Sequence, residues 1–195
     1  MGVYIDSKLT WQEHIKVVQN KIAKSISIMY KVKYLLDRSA LYTLYCSLVL
    51  PYLNYCCPIW GNIYMATIKN VIILQKKAVR IIDQVSFRES TAEIFKKYKL
   101  LKFTDIVKLN TGMIMFKAKS GTLPRRLKYH FSINVSNTRQ NGLFKIEYKR
   151  TKLKSFCVSH SGVLLWNNLA SKIRNSVTLF EFKKRLKNYL INAYC

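Results

Sequence analysis

Apolar residues recur every three or four positions over long stretches of this chain, and that spacing restricts the possible fold more than any other feature. The first stretch contains Ile15, Val18, Ile22, Ile26 and Met29 at these intervals. Residues so spaced share one face of an α-helix, so the stretch predicts an amphipathic helix. A similar pattern over residues 64–84 predicts a second long helix with a basic outer face.

Polar residues at the expected helix starts support the same interpretation. Thr10 with Glu13, and Thr178 with Glu181, match the capping box, in which a hydroxyl and a carboxylate bond to free backbone N–H groups. Asp37 is a candidate cap for another helix. These positions predict where three of the helices begin.

The C-terminal half has a less regular pattern. Apolar residues between positions 143 and 158 alternate loosely, which predicts one or two short strands. We therefore expect a mainly α protein, with a helical bundle at residues 10–100 followed by a mixed, mostly helical module at residues 101–195. Residues 1–9 precede the bundle and look like the end of a strand.

The chain is strongly basic although half of its residues are hydrophobic. It has 34 Lys and Arg against nine Asp and Glu, which gives a formal net charge of +25. The apolar content is high enough for a buried core, so we expect a folded chain. A folded body with such an excess of one sign repels itself unless a polyanion neutralises it, and nucleic acid is the commonest such partner.

Basic side chains concentrate in a few short clusters. A run of charge is ordinarily a solvated helix face, but here very few acidic residues accompany the basic ones. We therefore expect these clusters to contact phosphate groups, which carry no sequence information. The candidate nucleic-acid-binding residues are Lys76, Lys77, Arg80, Arg125, Arg126, Arg139, Lys183, Lys184 and Lys187.

Aromatic residues offer a second way of contacting nucleic acid, by stacking on bases. The same helical spacing is typical of a buried core, which is the more frequent arrangement. The residues concerned are Tyr42, Tyr45, Tyr52, Tyr55 and Trp60.

The sequence contains no recognisable catalytic or metal site. No two of the nine acidic residues are adjacent or separated by a single position, whereas a two-metal phosphoryl-transfer site needs clustered carboxylates. His14, His130 and His160 lie far apart, and the five cysteines form no CxxC pair. We therefore expect no catalytic residues, no metal and no cofactor, and reduced thiols in an intracellular protein of the nucleus or cytoplasm.

One stretch, residues 39–68, contains no charged side chain and is long enough to cross a bilayer. Pro51 and Pro58 interrupt it, and both of its flanks are basic, so it gives no orientation signal. A buried helix broken at proline is the preferred interpretation. A small basic membrane protein that spans the bilayer with residues 39–68 stays the alternative.

Several short motifs follow one another in order over nearly the whole chain. They are Gly2–Asp6, Leu9–Trp11, His14–Ile15, Leu48–Tyr55, Trp60–Asn62, Leu74–Ile82, Asn137–Arg139, Gly162–Leu169 and Phe180–Leu186. Their number, order and spacing resemble the region that follows the palm in reverse transcriptases of LINE-type, non-LTR retrotransposons, especially jockey-like elements.

This resemblance implies a part of a larger polymerase. Residues 10–100 would correspond to the thumb, a helical unit that holds the template–primer duplex beside the active site. Residues 101–195 would be a basic C-terminal module, and residues 1–9 the remnant of the last palm strand. The metal-binding aspartates of the family lie in the palm, one pair of them in a Tyr-x-Asp-Asp motif that this sequence lacks.

The charge and the resemblance together predict a non-catalytic fragment of an RNA-directed DNA polymerase. Its expected partners are RNA or an RNA–DNA duplex and, in the full-length protein, a polymerase palm domain. On its own the chain would not be an enzyme. A retrotransposon relic without a present function is a further alternative.

Overall fold

The computed structural model describes residues 2–134 and 142–194, and most residues in these two ranges are helical. No β-sheet occurs within them, which confirms the prediction of a mainly α protein. The helices of the described ranges are α1 (Gln12–Val32), α2 (Arg38–Leu48), α3 (Leu50–Asn54), α4 (Cys57–Trp60), α5 (Met65–Asp83), α6 (Ala92–Lys97), α7 (Phe103–Lys119), α8 (Arg125–Lys128), α9 (Lys152–Phe156), α10 (Val158–Asn168), α11 (Ser171–Arg174) and α12 (Leu179–Asn192).

The chain divides into two compact units. The first contains Met1–Ile106 together with Leu190–Cys195, and the second contains Val107–Tyr189. Compactness alone does not show which segments fold independently, so the domain boundary expected after residue 100 stays a prediction. Residues 2–9 pair as a strand with no other described segment, and their origin in a palm strand also stays a prediction.

In the first unit, α1 packs along α5, and α2 contacts both helices. The apolar positions that repeat in the sequence form this contact, and Ile22, Met29 and Val79 are among the completely buried side chains. Burying a side chain of this size stabilises the fold by about 1.5–3 kcal/mol relative to leaving it in water. The long helix predicted for residues 64–84 is confirmed as α5.

A polar side chain, Gln75, lies in the middle of the buried face of α5 and is 1 % exposed. Its Nε2 donates hydrogen bonds to the Tyr45 hydroxyl at 3.0 Å and to the Leu101 carbonyl oxygen at 2.9 Å. Its Oε1 accepts a 2.7 Å hydrogen bond from the backbone N–H of Phe103. Both the nitrogen and the oxygen of the buried amide therefore have hydrogen-bond partners, and these bonds tie α5 to α2 and to the start of α7.

The start of α1 differs from the capping box predicted at Thr10 and Glu13. Trp11 at the N-cap has a φ of 59°, so the backbone lacks the extended conformation from which a capping hydroxyl reaches the helix. The carboxylate of Asp6 instead accepts hydrogen bonds from the backbone N–H of Thr10, its hydroxyl and the backbone N–H of Trp11, at 2.8–2.9 Å. The hydrogen bond from the Thr10 N–H lowers the pKa of Asp6.

The other two predicted helix starts are confirmed. Asp37 accepts a 3.0 Å hydrogen bond from the backbone N–H of Ala40 at the start of α2. At α12, the hydroxyl of Thr178 accepts from the backbone N–H of Glu181, whose carboxylate accepts from the backbone N–H of Val177. Both arrangements satisfy N–H groups that lack a partner within the helix.

The second unit is built around Trp166 of α10, which is almost completely buried. Its ring stacks on Phe182 of α12 at a centroid distance of 5.4 Å and meets Phe144 edge-on at 6.0 Å. Gly162 allows α10 to approach α7 closely, because a Cβ at this position would lie 2.9 Å from the sulfur of Met115.

Residues 143–158 differ from the expectation of one or two strands. Phe144 forms an isolated bridge with Ile133, and α9 occupies part of the segment. The N–H and C=O of Phe144, which a further strand would use, bond instead to the side-chain amide of Asn167 at 3.1 and 2.8 Å. The ladder therefore ends after one residue pair.

The uncharged residues 39–68 are divided among α2, α3, α4 and the first turn of α5. Pro51 and Pro58 lie in the first turns of α3 and α4, where a proline displaces no intrahelical hydrogen bond. Across the two described ranges, no helix combines the length and the apolarity needed to cross a membrane.

Candidate nucleic-acid interface

Arg80 of α5 lines two neighbouring cavities of the first unit. Lys76, one turn earlier, lines one of them, and Lys77 lines the other. The Nε of Arg80 donates a 2.9 Å hydrogen bond to the carbonyl oxygen of Glu89, which holds the guanidinium beside the segment between α5 and α6. The predicted cluster of Lys76, Lys77 and Arg80 is thus divided between two surfaces that share one arginine.

The cavity on the Lys76 side has a volume of about 370 Å³, and we call it the basic cavity. Its lining includes four cationic side chains, Lys76, Arg80, Arg88 and Lys102, and one acidic residue, Glu89. Ser90, Thr91 and Thr104 add hydroxyl groups to the same wall. Such a set of ammonium, guanidinium and hydroxyl donors suits the oxygens of a phosphate group.

Lys102, one of the residues that line the basic cavity, contacts Tyr194. Its ammonium lies 4.2 Å from the centroid of the tyrosine ring, and its backbone N–H donates a 2.9 Å hydrogen bond to the tyrosine hydroxyl. The hydroxyl in turn donates a 2.8 Å hydrogen bond to Asp105. Burial raises the pKa of Tyr194, so this hydroxyl keeps its proton and stays a donor.

The cavity on the Lys77 side has a volume of about 460 Å³, and we call it the aromatic cavity. Tyr30, Tyr34 and Phe87 supply its aromatic side chains, and Ile26, Ile81 and Val85 contribute apolar surface. Lys33, Lys77 and Arg80 are its charged lining residues, and none of the described residues that line it is acidic. The Lys33 ammonium lies 4.2 Å from the Tyr30 ring centroid and 4.5 Å from that of Tyr34.

In the second unit, Arg125 and Arg126 lie in α8 and are exposed. This helix is a single turn that follows Pro124. Neither forms an ion pair with any residue of the described ranges. Both guanidinium groups are therefore available to a ligand.

The last helix carries the remaining described candidates. Lys183 and Lys184 are exposed and Lys187 is half-buried, and their spacing of three and four places them on one side of α12. Arg185 of the same helix is engaged elsewhere, because it forms a 2.6 Å ion pair with Glu181. Arg139, the ninth candidate, lies outside the described residues.

The carboxylates of Asp83 and Glu147 are also occupied by cations outside the candidate set. Asp83 forms a 2.6 Å ion pair with Lys97, and Glu147 forms a 3.0 Å ion pair with Lys154. Burial alone would raise the pKa of Asp83, but the hydrogen bonds from Lys97 and Tyr98 outweigh it and lower the pKa. These acids therefore leave the charge of the candidate lysines and arginines largely uncompensated.

Sequence reasoning missed Lys33, Arg88 and Lys102, although each lines one of the cavities. Each lies outside α5 in the sequence and is brought beside Arg80 only by the packing of the first unit. A periodic pattern describes one helix at a time, so it contains no signal for such a grouping.

The aromatic residues considered for base stacking turn out to be partly core. Tyr45 and Trp60 are completely buried, Tyr42 and Tyr52 are half-buried, and Tyr55 is exposed. The aromatic side chains beside the basic residues are others, Tyr30, Tyr34 and Phe87, and all three are exposed.

Metal-ligating side chains are not grouped in the described part of the chain, where no three or more His, Cys, Asp or Glu lie close enough to hold an ion. His14 and His160 are buried, and Nε2 of the first and Nδ1 of the second have no hydrogen-bond partner among the described residues. Comparisons of the chain with protein-family models, with curated proteins and with solved structures give no match.

Proposed function

We propose that this chain binds an RNA or RNA–DNA duplex through its phosphates, without sequence preference. In this proposal it is the thumb and post-thumb part of a non-LTR-type reverse transcriptase, and a palm domain elsewhere supplies the chemistry. The chain alone would hold the template–primer duplex and would not extend it.

The observation that carries the proposal is the basic cavity. Four positive side chains line a volume of about 370 Å³ together with a single carboxylate. Like charges around one cavity repel one another, and a phosphate group inside the cavity would relieve that repulsion. The two arginines can each donate paired hydrogen bonds to phosphate oxygens, and the lysines act as point charges.

The exposed cations of α8 and α12 support the same function. Arg125, Arg126, Lys183 and Lys184 offer further phosphate contacts, because no described acid neutralises them. Phosphate contacts fix the position of a duplex but do not read its sequence, so the binding would be general. The order of the family-like motifs in the sequence favours a polymerase thumb over other basic helical proteins.

A salt titration tests the proposal. We expect the affinity for a fluorescently labelled RNA–DNA duplex, followed by anisotropy, to fall with salt. If the chain neutralises about six phosphates, the slope of log affinity against log salt is about −5. A slope near zero would contradict the proposal. Binding that is lost for one duplex sequence only would also contradict it, because phosphate contacts do not read sequence.

Two charge-reversal variants separate the basic cavity from the general charge. Lys76→Glu with Arg88→Glu removes two cations of the basic cavity. The slope of log affinity against log salt should become less steep by about two. Lys24→Glu with Lys69→Glu makes the same change of charge at exposed positions outside both cavities. Equal losses of affinity in the two variants would show that the basic cavity is not the binding site.

The proposed absence of catalysis has its own assay. Primer extension on an RNA template should give no product with this chain, and steady nucleotide incorporation would overturn that part of the proposal.

A further inference from the structure

We infer that the aromatic cavity receives an unpaired nucleobase, so that the chain binds the single-stranded nucleic acid that adjoins its duplex. The inference rests on the proposed function, because it extends the same phosphate-binding surface. It adds a second class of ligand, single-stranded nucleic acid, which is not needed for phosphate contacts to a duplex.

The first argument is the composition of the aromatic cavity. Tyr34 is 83 % exposed and Phe87 is 77 % exposed, so neither ring belongs to the core of the first unit. Exposed aromatic rings beside cationic side chains are the combination with which proteins bind single strands, the rings stacking on bases and the cations contacting phosphates. The volume of about 460 Å³ is within the range of about 300–1,000 Å³ that is typical of small-ligand sites.

The second argument is the position of Arg80. Because this residue lines both cavities, a strand whose phosphate occupies the basic cavity would have a neighbouring nucleotide at the aromatic cavity. A base within a duplex is paired and stacked and is not free to enter, whereas an unpaired base is. The geometry therefore places the junction between duplex and single strand near Arg80.

The third argument is the arrangement of the rings before any ligand binds. The Lys33 ammonium lies over both Tyr30 and Tyr34, and this cation–π contact favours the arrangement in which the two rings lie side by side with the lysine. Side chains that are already ordered lose less entropy when they bind, which favours affinity. The charged residues among the described lining of the aromatic cavity are all basic, and this selects an anionic ligand.

The test compares three labelled substrates with the same duplex: one blunt, one with a single-stranded extension, and one whose extension is abasic and has the same number of phosphates. The base-bearing extension should bind more tightly than the abasic one by about 5-fold to about 100-fold for one stacked base. Equal affinity for the two extensions would overturn the inference.

Tyr34→Ala with Phe87→Ala should abolish this gain, whereas the affinity for the blunt duplex should fall much less, because Phe87 adjoins the duplex site only through the Arg88 guanidinium, 5.5 Å from its ring centroid. Both side chains are exposed, so the fold should tolerate their loss. Tyr148→Ala, at a position 88 % exposed in the second unit, is the matched control and should retain the gain. A gain that survives the double substitution would place the base elsewhere and would overturn the inference.

The outcomes also distinguish the two proposals. If the blunt duplex binds and the extension adds nothing, this inference fails and the proposed function stands. If the single strand binds and the duplex does not, the proposed function fails. An acidic amphipathic peptide is a further probe. If it binds more tightly than the base-bearing extension, and loses its affinity in the variant Tyr34→Ala with Phe87→Ala, the aromatic cavity binds a protein partner and the inference is overturned.

Discussion

The side chain of Gln75 and the backbone N–H of Phe103 form a buried hydrogen bond of 2.7 Å. Each of the two residues is next in sequence to a cation of the basic cavity, Gln75 to Lys76 and Phe103 to Lys102. The hydrogen bond therefore fixes the backbone of Lys102, just before α7, relative to the backbone of Lys76 in α5. A core interaction thus sets the geometry of the surface above it.

Gln75→Leu should destabilise the protein by about 3 kcal/mol, because it leaves the N–H of Phe103 and the hydroxyl of Tyr45 buried without their partner. The free energy of urea unfolding measures this. Gln12→Leu, at an exposed position in α1, is the control and should change the stability by less than about 0.5 kcal/mol. An equally small effect at Gln75 would show that the buried network contributes nothing.

Tyr194→Phe should cost about 1–2 kcal/mol, since it removes the hydroxyl that bonds both to Asp105 and to the N–H of Lys102. The ring over which the Lys102 ammonium lies is retained, so the effect reports on the hydroxyl alone. Tyr189→Phe makes the same chemical change at an exposed position and should be neutral. Chemical denaturation of both variants under one condition gives the comparison.

Asn167→Ala should cost about 1–2 kcal/mol, because the amide of this residue bonds to both backbone groups of Phe144. Asn168→Ala provides a control one position away, where the side chain is exposed. If both variants unfold at the same urea concentration, the two hydrogen bonds are not holding the segment before α9.

Stability should fall as the pH is lowered from about 7.5 toward 5.5, because His14 is buried. Burial first, and the charge of Lys21 second, lower the pKa of this imidazole in the folded protein. The unfolded chain therefore takes up a proton below its pKa of about 6.5 while the folded chain does not, and the free energy of unfolding decreases by at most about 1.4 kcal/mol per pH unit.

Equilibrium unfolding at several pH values tests this with two variants. His14→Leu removes the titrating group and should flatten the dependence between pH 7.5 and 5.5 relative to the unsubstituted protein. His130→Leu, at an exposed position, should leave it unchanged. Parallel curves for the unsubstituted protein and His14→Leu would assign the pH effect to other groups.

The regular parts of the fold follow from the sequence because they depend on local information. The bounds of α5 and the buried face of α1 are set by apolar spacing, and the caps at Asp37 and Thr178 depend on residues close in sequence. At α1 the same reasoning fails, because Asp6 lies outside the capping-box motif and its carboxylate is a stronger acceptor than the Thr10 hydroxyl.

Only part of the candidate site could be predicted from the sequence. The sequence indicates Lys76, Lys77 and Arg80 as a basic cluster, but it does not indicate that Arg88 and Lys102 complete one cavity and Lys33 the other. Those groupings depend on tertiary packing. Residues 143–158 illustrate the same limit, since the amide that stops strand pairing at Phe144 comes from Asn167, 23 positions later.

Arg80 gives the two cavities a common set of donors. A guanidinium has five N–H bonds, and the carbonyl oxygen of Glu89 takes the one at Nε, so four remain on the two terminal nitrogens. An ammonium at this position would conserve the charge but carries three donors on a single nitrogen and lacks the planar fork of a guanidinium. Lysine is thus not an equivalent residue here, because it lacks the Nε–H that bonds to Glu89 and holds the side chain beside the two cavities.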